Sequence, residues 1–316
     1  MIDFRYHLVS LIAVFLAVAL GIVIGTTQLN GRVVDNLNAQ VSSLEQDKRG
    51  LEAQTQQLQA EVKSDDAFTQ AVAPALVGGT LNNRRVLLVL TSAQVPSGTV
   101  DDLTALVQKA GATVTGTIHL QSQYTDPASA SAIVNYVTGS GRPSGVALPQ
   151  TDDAHQLVAA LLADVLMAPS VNNTAANGAA ISSVLAGLSS LNVVAQDSTT
   201  VTRADFAILL TTGAQDGTDA DRRNAALVDL AAALDAAGSG AVVAGDAESA
   251  GSKGLVGALR NNPTVVSSVS TVDNIGTAAG EVSTVLALAA ERQGTSGKYG
   301  SGADTQPVPQ VAGATR

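Results

Sequence analysis

A long uncharged stretch near the amino terminus constrains the fold of this chain more than any other feature. No Asp, Glu, Lys or Arg occurs from Leu8 to Gly31, and residues 8–25 are almost entirely apolar. At about 1.5 Å per residue, a helix of this length spans roughly 27 Å, close to the hydrocarbon thickness of a bilayer. Residues 1–31 therefore predict a membrane anchor. A cleaved signal peptide is the alternative, but residues 1–7 pair one Arg with one Asp, and no clear cleavage site follows the apolar run.

Small residues recur every four positions along this helix, at Ala13, Ala17, Gly21 and Gly25. Residues four apart share one face of a helix, and a G-x-x-x-G pattern lets two backbones approach closely inside lipid. Ala17, Gly21 and Gly25 are therefore candidate dimerisation residues, although Gly and Ala are also common in spanning helices generally. Charge does not determine the orientation of the helix, because Arg5 lies on one side and Arg32 on the other.

A heptad pattern follows the membrane segment and covers residues 32–66. Leucine occupies every d position from Leu37 to Leu58, and most a positions are β-branched, which favours a parallel two-stranded coiled coil. The predicted seam consists of Val34, Leu37, Val41, Leu44, Leu51, Leu58 and Val62. We therefore predict a stalk that makes the protein a parallel homodimer. The alternative is a helix packed on its own globular domain, which fits so narrow a seam less well.

Alternating strand and helix patterns fill residues 80–293. A helical pattern separates two apolar, β-rich runs, and the same order returns later in the chain; the runs are Val86–Leu90, Thr113–Leu120, Phe206–Thr211 and Ala241–Ala244. Two β-α-β units predict a mainly parallel, Rossmann-like sheet between two helical layers. We expect a further strand over Val265–Val272. Residues 294–316 are rich in Gly, Ser, Thr and Pro, and predict a disordered tail.

The composition argues against several kinds of chemistry. The chain has no Cys, which excludes disulfides and thiolate sites, and its His residues (7, 119 and 155) show no metal-binding spacing. A net charge of −10 argues against a nucleic-acid partner, and 3% aromatic residues with no Trp argue against a platform on which nucleic-acid bases or sugars stack. The loops at 91–99 and 211–219 lack G-x-G-x-x-G, and residues 245–254 depart from P-loop spacing.

One local group of polar residues, Asp152, Asp153 and His155, resembles a ligand cluster. Its preferred interpretation is the first turn of a helix, where carboxylates are favoured by the helix dipole. No G-x-S-x-G motif indicates a hydrolase. We therefore predict a protein that is not an enzyme and has no catalytic residue, cofactor or metal site.

Short motifs near both ends resemble the actinobacterial family of the mycobacterial copper transporter MctB, whose corynebacterial relative is SteB. They comprise His7, Ser10, Leu11, Ala13–Ala17, Gly21 and Gly25, and later Ser270–Asp273, Leu286–Leu288, Gly297 and Tyr299–Gly300. The resemblance implies an envelope protein with its α/β domain outside the cytoplasm, and copper resistance through a proposed outer-membrane pore. In the SteB branch it implies a membrane partner, SteA, and control of a peptidoglycan hydrolase at the division septum.

Two functions of different kinds follow. The first is a membrane-anchored, self-associating scaffold that presents the α/β domain to partners and regulates cell-wall hydrolysis at division. The alternative is an MctB-like pore that effluxes copper across the outer membrane. The residues favour the scaffold, because a membrane barrel needs at least about eight strands of alternating polarity. Copper also prefers thiolate, thioether or imidazole ligands, and only three His and one internal Met, Met167, are present.

Overall fold

The computed structural model describes residues 4–168, 178–197 and 200–310, with side chains from Tyr6 onward except those of residues 26–34. Contacts divide the chain into two compact units, Met1–Asp65 and Asp66–Arg316. The sequence placed the start of the α/β domain near residue 80. The structure differs because Ala73, Val77 and Leu81 are buried in the core of the second unit.

Helix α1 begins at Phe4 and ends at Val77, so one continuous helix covers the predicted anchor and the predicted stalk. Gly50 lies within α1 without ending it, although glycine costs about 1 kcal/mol relative to alanine in a helix interior. The helix ends before Gly79, whose φ of +76° is a conformation that favours glycine after a helix terminus. Coiled-coil pairing of α1 stays a prediction, since the structure contains a single chain.

A seven-stranded sheet forms the centre of the second unit, in the order β3-β2-β1-β4-β5-β6-β7. All neighbours are parallel except β2 and β3, which confirms the predicted mainly parallel sheet. The strands are β1 (Arg85–Leu90), β2 (Thr113–Leu120), β3 (Val194–Gln196), β4 (Phe206–Leu210), β5 (Ala241–Ala244), β6 (Ser270–Val272) and β7 (Lys298–Tyr299).

Helices cover both faces of this sheet. They are α2 (Ser97–Lys109), α3 (Ala130–Thr138), α4 (Ala154–Leu166), α5 (Gly178–Ser190), α6 (Ala220–Ala237), α7 (Leu255–Arg260) and α8 (Ala278–Glu291). Successive strand residues point to opposite faces, so Leu87 and Val89 join one apolar cluster while Val86 and Leu88 join the other. Helices α3–α7 pack in the first cluster, and α2, α8 and the end of α1 pack in the second. The second unit is therefore a three-layer α/β domain.

Two segments near the end of the chain differ from the prediction. The strand predicted over Val265–Val272 is confined to Ser270–Val272, because residues 265–268 form turns closed by local hydrogen bonds. The predicted disordered tail instead contains β7, which pairs with β6 and buries Tyr299. A Gly- and Ser-rich composition did not show that one tyrosine would enter the core. Residues 311–316 of the predicted tail lie outside the described residues.

Candidate functional site

The membrane segment lies on the first unit. In the part of the chain that the structure describes, Tyr6–Gly25 is the one helical segment long and apolar enough to cross a membrane. Its large apolar side chains are exposed in the single chain, Phe15 by 68%. A Cβ added at Gly21 or Gly25 would meet no other atom within 4 Å, so this face is open to close approach. Ala17, Gly21 and Gly25 remain predicted contacts, because no second copy is present.

The predicted seam lies along α1 as a row of exposed apolar side chains. The exposed fractions are 71% for Leu44 and 64% for Leu51, and the other described seam residues are Leu37, Val41, Leu58 and Val62. The side chain of Val34 lies outside the described residues. Water-exposed leucines at heptad spacing are typical of a helix that buries them against a partner. The structure leaves this stripe available and does not identify its partner.

The side chains that could bind copper are spread over the chain. Among the described residues, no group of three or more His, Cys, Asp or Glu side chains has metal-binding geometry. His119 is hydrogen-bonded to the Asp197 carboxylate, and Met167 is only 1% exposed, in the core. These side chains therefore offer no shared set of copper ligands.

The group formed by Asp152, Asp153 and His155 has the structural role that the sequence favoured. Asp153 is the N-cap of α4, and its Oδ1 accepts hydrogen bonds from the backbone N–H groups of His155 and Gln156, at 2.8 and 3.2 Å. Such caps stabilise a helix by about 1 kcal/mol. The interpretation of this group as a first helical turn is confirmed.

Loops at the carboxyl ends of β1, β2 and β4 enclose a cleft of about 710 Å³. Two of these loops are 91–99 and 211–219, which lack a phosphate-binding motif. Because β1 lies between β2 and β4, the cleft occupies the point where the strand order reverses, a common ligand position in open α/β sheets. The sequence indicated these two loops but not the cleft, because the order of the strands in the sheet is not apparent from the sequence.

In the loop of residues 245–254, which superficially resembles a P-loop, an acidic side chain of the loop itself binds backbone N–H groups. The Asp246 carboxylate accepts hydrogen bonds from the backbone N–H groups of Gly213 and Ser249, at 3.0 and 2.8 Å. These N–H groups are therefore already paired with an anion of the chain. That this loop binds no nucleotide phosphate stays a prediction from its spacing.

Burial raises the pKa of several carboxyl groups in the α/β domain. Burial raises the pKa of Glu291 to about 7, and Asp235 acts in the same direction, while hydrogen bonds from Ser270 oppose the shift. Burial likewise raises the pKa of Glu281 to about 7 and that of Asp235 to about 6. Glu291 accepts a hydrogen bond from the Ser270 N–H at 2.9 Å, so it connects α8 to the start of β6.

We expect these groups to make the α/β domain less stable as the pH rises. Glu291 keeps its proton in the folded state between its ordinary pKa of 4.5 and about 7, where the unfolded chain releases it. Its contribution is therefore complete below about pH 4.5 and is lost by about pH 7. Between about pH 4.5 and pH 7, the unfolding free energy of the Glu291→Gln variant should fall by about 1–3 kcal/mol less than that of the wild-type chain.

Calorimetric unfolding from about pH 5 to pH 8 measures this difference. Glu248→Gln, at an exposed position, is the matched control and should leave the pH profile as in the wild-type chain. The same pH dependence in the wild-type chain and the Glu291→Gln variant would contradict the assignment of the proton to Glu291.

Comparison with known proteins identifies the family. The family model described as "Copper transport outer membrane protein, MctB" matches residues 1–309. The chain belongs to the MctB copper transport family. Proteins named "Copper transporter MctB" from Mycobacterium tuberculosis and Mycobacterium bovis are 30% identical to it, covering 96% of this chain and 97% of theirs. The protein of that name from Mycobacterium leprae is also 30% identical, covering 98% of this chain and all of its own length.

Membership of the MctB family and one apolar N-terminal helix fit a membrane-anchored envelope protein. The motifs by which the sequence resembled this family lie in both units. In the second unit, the motif residues Asp273 and Tyr299 come together, because Arg260 donates hydrogen bonds to the Asp273 carboxylate and to the Tyr299 carbonyl. These motif residues therefore stabilise the last strand pair, a structural role that the sequence did not reveal.

Proposed function

We propose that this chain acts in copper transport at the cell envelope and contributes to copper resistance, as a membrane-anchored, self-associating protein. The observation that carries the proposal is similarity to the MctB family along nearly the whole chain, including the anchor and the α/β domain. The outer membrane is the proposed location, because the family description names it. The proposal assigns no catalytic step to the chain.

The proposed transport does not depend on a chelating site within one copy. The described side chains contain no group suited to hold copper, and the α/β sheet is buried on both faces under helices. A path for copper would therefore form between copies or with another protein. The exposed seam and the small-residue face of α1 are the surfaces available for that assembly.

Cellular copper content provides the direct test. In a mycobacterial strain lacking its MctB protein, we expect copper to accumulate under copper stress and growth to stop at a lower copper concentration. Expressing this chain should restore both properties, and a variant with Leu44 and Leu51 replaced by Asp should restore neither. Unchanged copper content after expression of a correctly inserted wild-type chain would contradict a role in copper transport.

A scaffold at the division septum is the second proposed function, and the exposed leucine seam favours it. A parallel homodimer would present two α/β domains to a SteA-like membrane partner and a cell-wall hydrolase. Purified full-length protein in planar bilayers separates the two functions. Defined conductance steps would support a pore, and their absence with folded protein would remove the pore and leave the scaffold.

A further inference from the structure

The cleft at the carboxyl ends of β1, β2 and β4 contains a positive charge that the chain itself does not neutralise. Arg223 lies in the first turn of α6, lines the cleft and is half-buried. Among the described residues, its guanidinium forms no hydrogen bond or ion pair. The neighbouring Arg222, by contrast, is paired with Asp219 at 2.6 Å. A half-buried, unpaired guanidinium in a cleft is suited to receive a carboxylate or phosphate.

The remaining polar groups of the cleft indicate more than a simple anion. Three carboxamide side chains line it, those of Gln94, Gln121 and Gln215, one from each loop. None of their side-chain amides is hydrogen-bonded to another described residue. Each can donate and accept hydrogen bonds, which is what the hydroxyl groups of a sugar require. The volume of about 710 Å³ lies within the usual range for small-molecule pockets.

The acidic residues of the cleft limit the charge that such a ligand can carry. The Asp126 carboxylate accepts the Ala128 N–H at 2.9 Å, and Asp219 is paired with Arg222. Asp216 is exposed and unpaired among the described residues, and would repel a second negative charge. The Asp126 and Asp216 carboxylates are not compensated by a cation and oppose the single free Arg of the lining, which favours a ligand with one negative charge over a phosphate dianion or a nucleotide.

We propose that this cleft binds a monoanionic sugar, with the carboxylate of a sugar acid on Arg223 and its hydroxyl groups on the glutamine side chains. The site is separate from the proposed copper function, since the proposed contacts use neither α1 nor a histidine or methionine side chain. It gives the α/β domain a ligand of its own.

Isothermal titration of the full-length protein in detergent with glucuronate tests this assignment, with glucose and glucose 6-phosphate as comparison ligands. We expect saturable binding of glucuronate, weaker binding of glucose 6-phosphate, and none of glucose. Arg223→Gln should weaken glucuronate binding by about 10- to 100-fold, because it removes a charge-assisted hydrogen bond. Arg84→Gln, just before β1 at the opposite end of the strands and outside the cleft lining, should change it by less than about twofold.

A second variant keeps the proposal testable if Arg223→Gln does not fold. Ala214→Phe places a bulky ring in the cleft from the loop after β4 and should abolish binding while leaving Arg223 in place. No saturable heat with glucuronate in the folded wild-type protein would overturn the proposal. Equal binding of glucose, tighter binding of glucose 6-phosphate, or unchanged binding in both cleft variants would also overturn it.

Discussion

Replacing Leu44 and Leu51 together by aspartate should abolish the proposed self-association of the predicted stalk. Both leucines are more than half exposed in the single helix and occupy d positions, which face each other in a parallel pair. Burying each leucine contributes about 1.5–3 kcal/mol, and a dimer buries four of them. The dissociation constant should therefore rise by at least about 10³-fold, as measured by analytical ultracentrifugation of the full-length protein in detergent.

Alanines on the opposite face of α1 provide the matched control for this double substitution. Ala53→Asp with Ala60→Asp adds the same charge at f positions, away from the seam, and should leave the association nearly unchanged. Because the chain has no Cys of its own, a single introduced cysteine can form a disulfide only with the same cysteine of a second copy, and so reports pairing of the helices. Leu58→Cys should form disulfide-linked dimers, and Ala60→Cys should not. An unchanged monomer–dimer balance in the Leu44 and Leu51 variant would remove the stalk argument.

Asp273→Ala should cause a large loss of stability in the α/β domain. The Asp273 side chain is 1% exposed and lies 2.7 Å from Nη1 of Arg260, whose side chain is 11% exposed. It also accepts hydrogen bonds from the backbone N–H groups of Ser301 and Gly302, at 2.8 and 3.2 Å. Removing one partner leaves a buried charge uncompensated, at a cost of about 3–5 kcal/mol. The melting temperature should fall by about 6–20 °C in calorimetry.

Gly300 shows how closely the chain packs around this ion pair. Its φ is +128°, and a Cβ added there would lie 1.9 Å from Oδ1 of Asp273. The residues after β7 therefore adopt a conformation that only glycine accommodates here, with Asp273 filling the space a side chain would need. Asp273→Ala should also release the segment after β7, increasing hydrogen exchange at Ser301 and Gly302.

An exposed ion pair is the control for the buried one. Asp219→Ala removes the partner of Arg222, and both side chains are about half exposed. Its cost should stay below about 1 kcal/mol, because water screens the pair. Combining Arg260→Met with Asp273→Ala should be less damaging than the sum of the single changes, since no unpaired charge is then left. Equal melting shifts for Asp273→Ala and Asp219→Ala would contradict the role assigned to Asp273.

Elements defined by local pattern were predicted well. The apolar run predicted the helical segment Tyr6–Gly25, and short apolar strands alternating with helical patterns predicted the parallel sheet. Both signals depend on residues within a few positions of each other. The N-cap role of Asp153 was predictable for the same reason, because a cap is recognised by the helix that follows it.

Elements defined by distant contacts were not predicted. The strand β7 follows a Gly- and Ser-rich stretch, and only its pairing with β6 and the burial of Tyr299 place it in the sheet. The antiparallel β3 is three residues long, too short to show a periodic pattern.

By itself, the sequence determined the class of this protein: an apolar helix able to span a bilayer, a leucine-spaced continuation, an α/β domain and a likeness to one family. Only the tertiary structure decided that α1 contributes its last turns to the domain core, that Arg260 joins Asp273 to Tyr299, and that Arg223 faces a cleft. The physical reason is that the periodic spacing of apolar residues, which predicts helices and strands, depends only on residues close together in the chain. Pairing of charges and the position of a cleft depend on strand order, which brings together residues far apart in the chain.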